Sequence, residues 1–147
     1  MAINRIMLAG DFRRDERVAN ATLYPGHLVE VLSTGKVQKH STEAGYAERA
    51  FAIEDALQGN AIADAYAAAD LVSINLVQPG AEVFAFLKAG EDVAIGEKLI
   101  SAGDGTLIAN GSETSGATVQ QVVAIALEAK DLSASGAVAT KMQVRVL

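Results

Sequence analysis

Pro25-Gly26-His27-Leu28-Val29-Glu30-Val31-Leu32-Ser33-Thr34-Gly35-Lys36-Val37-Gln38-Lys39 packs a turn, a strand, a second turn and a second strand into fifteen residues. Pro presets φ for the second position of a type II turn, and Gly accepts the positive φ of the third. The five residues that follow, 28–32, form a short apolar run broken only by Glu30. Ser33-Thr34-Gly35-Lys36 then has the composition of a hairpin turn and returns the chain along Val37-Gln38-Lys39.

The same device recurs outward from this unit. Pro79-Gly80, the chain's other Pro-Gly pair, precedes Val83-Phe84-Ala85-Phe86-Leu87, and Gly103-Asp104-Gly105 turns into Thr106-Leu107-Ile108. From Leu23 onward the apolar runs are short and separated by Gly, Pro, Asn or Asp, as for strands joined by turns. The fold class that follows is mainly β: a single compact β-barrel or β-sandwich-like domain over residues 23–147, with a short helical turn and an extended N-terminal arm at 1–22.

Leu71-Val72-Ser73-Ile74-Asn75-Leu76-Val77 alternates in its centre, which predicts a half-buried strand with one inward face. The alanine-rich stretch 50–71 is interrupted by Gly59-Asn60. It predicts a strand near 51–53 and one helical turn near 63–68. Residues 110–118 have a Gly/Ser/Thr loop composition, 122–127 suit a strand or a helix, and 143–147 suit a closing strand. The first 22 residues join an apolar half (Ile3, Ile6, Met7, Leu8) to a charged half (Asp11, Arg13, Arg14, Asp15, Glu16, Arg17) without a turn-bounded strand pattern. They read as an arm, the alternative being a first strand at 3–8 packed on its own domain.

At 147 residues, half of them hydrophobic and 20% charged, the chain has the composition of one folded domain. No cysteine is present, so disulfides, thiolate nucleophiles and Cys-based zinc sites are excluded. A net charge of −6 argues against a broad nucleic-acid surface. No apolar run reaches the roughly 20 residues that span a bilayer, and a signal-peptide pattern is missing at the start. These features point to a protein made in the cytoplasm that engages neither membrane nor nucleic acid.

Candidate chemistry is sparse. A metal site on His27 and His40 would need a third ligand such as Glu43, and no familiar His/carboxylate spacing is present. Glu54-Asp55 and Glu91-Asp92 are adjacent pairs, which point apart, whereas acid/base catalysis needs carboxylates that converge. Gly103-Asp104-Gly105-Thr106 lacks the Gly-Lys-Ser/Thr ending of a phosphate loop, and residues 111–116 do not fit a Gly-x-Ser-x-Gly elbow. Neither catalytic, metal nor cofactor residues are assigned. The stretch from Gly80-Ala81-Glu82-Val83 through residues 89–100 resembles in rhythm the half-motif of biotinyl and lipoyl carrier domains, but no lysine lies between Lys98 and Lys130 to serve as the attachment point.

Taken in order, Pro25-Gly26-His27-Leu28-Val29-Glu30, Gly35-Lys36-Val37-Gln38-Lys39-His40, Phe51-Ala52-Ile53-Glu54-Asp55-Ala56-Leu57-Gln58-Gly59, Asp64-Ala65-Tyr66-Ala67-Ala68-Ala69-Asp70, Pro79-Gly80, the 89–99 run and Ala102-Gly103-Asp104-Gly105-Thr106-Leu107 resemble structural proteins of tailed-bacteriophage head modules. The resemblance spans residues 3–147 and lies in the combination of turns. Where many such proteins carry Gly before the acid of the Tyr-Ala-Ala segment, this chain has Ala69.

The resemblance implies a capsid decoration (cement) protein of the lambda-like type. Such a protein is a β domain that forms a homotrimer and binds the major capsid protein at local three-fold positions on the virion exterior, without enzymatic activity or cofactor. A tail or neck structural role and a carrier domain are the alternatives. In the decoration role, the arm would lie on the capsid protein, adding a strand to an exposed edge. Ile3, Ile6, Leu8 and Phe12 would be its apolar anchors, and Arg13, Arg14 and Arg17 would reach acidic groups. Deleting residues 1–14 should then leave a folded trimer that no longer attaches to heads.

Overall fold

The computed structural model of the chain describes residues 2–114, 116 and 120–147. Its centre is a closed barrel of five strands, in the order β7 (Glu82–Leu87), β10 (Leu107–Ala109), β9 (Lys98–Ser101), β11 (Ala124–Ala126) and β13 (Thr140–Val146), with β13 returning to β7. The seam that closes it is an antiparallel ladder from Thr140↔Leu87 to Arg145↔Glu82. Strict alternation decides what faces inward: Val83, Ala85 and Leu87 from β7 and Met142, Val144 and Val146 from β13 are buried. With Leu99, Leu107 and Ala124 they form the largest core cluster. The barrel interior is therefore filled by Val, Leu, Ala and Met side chains, with Phe51 of β5 packed in the same cluster.

A second layer flanks the barrel. Its three-stranded sheet runs β2 (Phe12–Val18), β6 (Leu71–Val77), β5 (Ala50–Ala52), and the hairpin β3 (Val29–Val31) with β4 (Val37–Lys39) packs beside it. Ala19, Leu23, Val29, Val37, Val72 and Ile74 form the core between them. The remaining strands are short: β1 (Met7–Ala9) pairs with β7, and β8 (Asp92–Val93) with β12 (Lys130–Asp131).

The turn chemistry forms as the sequence implies. Gly26 and Gly80 hold φ of 99° and 92°, and the i→i+3 bonds His27 N–H to Tyr24 C=O and Ala81 N–H to Gln78 C=O close both Pro-Gly turns. Residues 33–36 turn β3 into β4, 103–105 turn β9 into β10, and the strand alternative holds at 124–126. Of the loop composition at 110–118, Ser115, Ala117 and Thr118 lie outside the described residues.

Three expectations are corrected. The first 22 residues are not a free arm: β1 joins the barrel and β2 pairs with β6 along seven residues, and among the described residues only 2–5 precede the first main-chain bond to the rest of the domain, at Ile6. Alternating charge on β2 hid its strand character, because the charges sit on an exposed strand and no apolar stripe marks its face. The helical turn is a 3-10 turn at Ala56–Gln58 that ends on Gly59, with φ 79°. The predicted position at 63–68 instead holds turns capped by Asp64 and Asp70, whose carboxylates accept the N–H groups of Ala61 and Ala67. Finally, β6 is covered on both faces. Val72 and Ile74 face the hairpin, and Ser73, Asn75 and Val77 on the opposite face are also buried.

Candidate functional site

The seven residues expected to grip a partner fall into separate places. Ile6 is fully buried in the barrel cluster; its N–H donates to Glu54 Oε2 (3.1 Å) and its C=O accepts from Phe84 N–H (2.7 Å). As an anchor for another protein it is therefore excluded: its side chain holds β1 on the barrel. Ile3 and Leu8 are half-buried near it. Phe12, Arg13, Arg14 and Arg17 all belong to β2, where alternation sends Arg13 and Arg17 to one face and Phe12 and Arg14 to the other.

On the first face, Arg13 and Arg17 border a cleft of about 260 Å³ floored by Val29, Val31, Ile74 and Leu76. Asp15 lies between them. Its Oδ2 accepts from Arg17 Nε (2.9 Å) and its Oδ1 from the Glu16 N–H (2.9 Å), which together hold its carboxyl below the usual carboxylate range. Arg13 has neither an ion pair nor a hydrogen bond among the described residues. Its guanidinium is the one on this face left open to an acidic group, since Arg17 is already committed to Asp15.

On the second face, Arg14 Nη2 donates to Ser73 Oγ (2.9 Å) and lies 3.4 Å from Glu16 Oε1. Phe12 is 47% exposed and Val18 39%. Beside Phe12 a second cleft of about 420 Å³ is lined by Arg5, Leu8, Ile53 and Asn75. Asn75 is buried at its floor, and neither amide atom has a hydrogen-bond partner among the described residues. No sequence pattern singles out Asn75, because an Asn at a polar position of an alternating strand is ordinarily solvated.

β2 is also the end strand of its sheet. At one end the Asp11 C=O accepts from Gln78 N–H (3.0 Å), and at the other the Ala19 N–H donates to Asp70 C=O (2.8 Å). The intervening odd residues therefore turn their main-chain groups toward β6, and Phe12, Arg14, Glu16 and Val18 turn theirs away from it. The Asn20 N–H bond to Val37 C=O (2.8 Å) closes the C-terminal end of this row.

The candidate chemical groups are spent on structure. His40 is buried between Ser101 Oγ (2.6 Å from Nδ1) and the Tyr46 carbonyl (2.8 Å from Nε2). Since a carbonyl only accepts, Nε2 carries the proton and Ser101 O–H donates to Nδ1. Ser101 is fully buried, so this Ser-His pair ties three segments together beyond the reach of a substrate. His27 Nδ1 accepts the Tyr24 N–H (3.0 Å), and its ring stacks on Phe86 at 4.4 Å. Burial, with the Lys39 charge, moves His27 from 6.5 down to about 4.

Glu91 accepts the Ala109 N–H (2.9 Å), and Asp104 caps the Thr106 N–H (3.0 Å). Among the described residues no group of three or more His, Asp or Glu is placed to hold a metal ion, and no helix is long and apolar enough to cross a membrane. Compared with known proteins, the chain matches no family model and no curated sequence.

Proposed function

We propose that the protein is a non-enzymatic structural component of a tailed-phage virion that binds the outer surface of the capsid, as a trimer at local three-fold positions, and stabilises the expanded shell. One observation carries this reading: a closed barrel supports a solvent-exposed strand whose Arg13 makes no ion pair or hydrogen bond among the described residues, beside a cleft floored by Val29, Val31, Ile74 and Leu76 and rimmed by charged side chains. The strand carries three arginines against two carboxylates, a local positive surplus on a chain of net charge −6. That arrangement suits an acidic protein surface better than it suits a small molecule. The order of turns shared with phage head proteins supports the same conclusion.

Attachment need not be strong per site. Three weak contacts joined in one trimer exceed the affinity of a single contact by roughly 10²–10⁴-fold when all engage together. Arg13 and Arg17 would reach acidic groups of the major capsid protein, while Ile3 and Leu8 supply apolar contact from the short unpaired segment at 2–5 and the strand beside it.

Removing residues 1–14 would take Ile6 out of the core, so loss of binding in that variant would report unfolding. The cleaner test mixes heads lacking the protein with the wild-type chain or with Arg13→Glu and images them by cryo-electron microscopy. The expected result is three-fold density on the shell exterior with the wild type and bare shells with the folded variant. Density confined to the tail or neck, or equal decoration by both chains, would reject the proposal.

A further inference from the structure

From the main-chain groups that β2 turns toward its open edge, and the side chains those residues carry, we infer that this edge pairs with the same edge of a second copy about a two-fold axis. The outward-facing residues read Phe12, Arg14, Glu16, Val18. Antiparallel pairing of two such strands centred on Asp15 sets Arg14 opposite Glu16 of the second copy through main-chain bonds and brings Phe12 beside Val18 of the second copy by side-chain contact alone, since β4 already meets the edge at the Ala19↔Val37 bridge; the symmetry repeats both contacts. Each copy thus contributes one apolar pair and one ion pair in each direction, the cross-strand combinations that stabilise a sheet.

The register is singular. Hydrogen bonding requires outward residues to meet outward residues, so the pairing can slip only in steps of two. A slip one way sets Arg14 against Arg14 and Phe12 against Glu16. A slip the other way sets Glu16 against Glu16. On the reverse face the two Asp15 carboxylates meet at the axis, flanked by Arg13 and Arg17 of both copies, so four guanidiniums surround two carboxylates.

In the single chain the Asp15 carboxylate accepts the outward Glu16 N–H, an internal substitute for the missing strand that a second copy would displace. All four side chains reach solvent: Phe12 and Val18 are 47% and 39% exposed, and the side chains of Arg14 and Glu16 are 42% and 49% exposed, with the 3.4 Å Arg14–Glu16 contact inside one chain exchanged for the same contact between copies.

This contact goes beyond attachment to a shell. It would join neighbouring copies to each other, whatever holds each of them to the capsid. Arg14 and Glu16 lie on the face opposite Arg13 and Arg17, so substitutions at Arg14 and Glu16 test the pairing without altering the residues assigned to the capsid.

The test is the mass distribution of the full chain in solution over a concentration series, by sedimentation equilibrium, with hydrogen exchange at 12–18 read alongside. Glu16→Arg sets Arg against Arg in both symmetric pairs and should weaken the association by about tenfold or more. The double exchange Arg14→Glu with Glu16→Arg recreates the complementary pattern and should restore it to within about threefold. If trimers form through another surface, the same pattern should be seen in the pairing of trimers. Identical masses for the wild type, the single and the double variant at every concentration would overturn the inference. So would a double variant as weak as the single one, with all three unfolding at the same temperature. Heads that fail to bind the wild-type chain would count against the capsid proposal alone.

Discussion

The barrel and the sheet that flanks it are built from the same two-residue alternation and end in opposite kinds of surface. In the barrel, β13 returns to β7, and the β7 groups that the ring leaves over are taken by β1, Ile6 and Gly26, so no free edge remains there. In the flanking sheet, β6 is buried on both faces while β2 is left with an open row of main-chain groups and charged side chains. The difference separates two tasks. Closure leaves the barrel without a free edge, and the end strand keeps one exposed to solvent.

The largest expected contrast lies in stability. Leu107→Ala or Met142→Ala removes a fully buried barrel side chain and should lower unfolding free energy by about 2–5 kcal/mol in urea titrations. Arg13→Ala on β2 should stay within about 0.5 kcal/mol. Equal losses at the two places would mean that β2 is part of the stabilising core.

Acid should act where the hairpin layer meets the barrel, at His27. Its folded value of about 4 lies below the ordinary 6.5, so the unfolded chain takes up a proton first as pH falls. The stability held above pH 6.5 is lost progressively down to about pH 4, by about 3 kcal/mol. Lys39 and Lys141 oppose protonation and Asp104 favours it. His27→Asn keeps an acceptor for the Tyr24 N–H and should flatten that pH window; a wild-type melting temperature unchanged between pH 7 and 4.5 would contradict the assignment.

Smaller effects sharpen the account of the flanking sheet. Asn75→Leu replaces an unpartnered buried amide with an apolar side chain of similar size, and thermal unfolding should show stability unchanged or raised by about 1 kcal/mol. A loss of more than that would show that the amide has a partner in solution. Ala69 holds φ 73°, a left-handed conformation costly for any residue with a Cβ. Ala69→Gly should therefore stabilise the chain by about 0.5 kcal/mol, the remainder being offset by the extra freedom of Gly when unfolded.

That same residue shows what the sequence could convey. The turn at Ala69 forms although the Gly typical of the resembling proteins is missing, because Asp70 caps it by accepting the Ala67 N–H (2.8 Å). Pro-Gly pairs, the 33–36 and 103–105 turns and the 71–77 strand were legible because their chemistry is local. Closure of β7 on β13 was not, since it joins residues nearly sixty positions apart through main-chain groups that leave no trace in side-chain pattern.

The charged run 11–17 reads as part of an arm; its residues form a paired strand, with Ile6 before it serving the core. That Arg13 and Arg14 face opposite ways followed only once the strand was known. The Asn75 amide depends on what the 53–56 segment and β1 cover, which no local pattern records.

The central claim is that the outer edge of β2 is where this protein meets its neighbours. Amide hydrogen exchange with fragment-resolved mass spectrometry, comparing the free chain with the chain assembled on heads, reads that edge directly. The account predicts rapid exchange at Phe12, Arg14 and Val18 in the free chain and marked slowing on assembly, with the barrel strands slow in both. Unchanged exchange at these positions, together with new protection elsewhere on the surface, would contradict it.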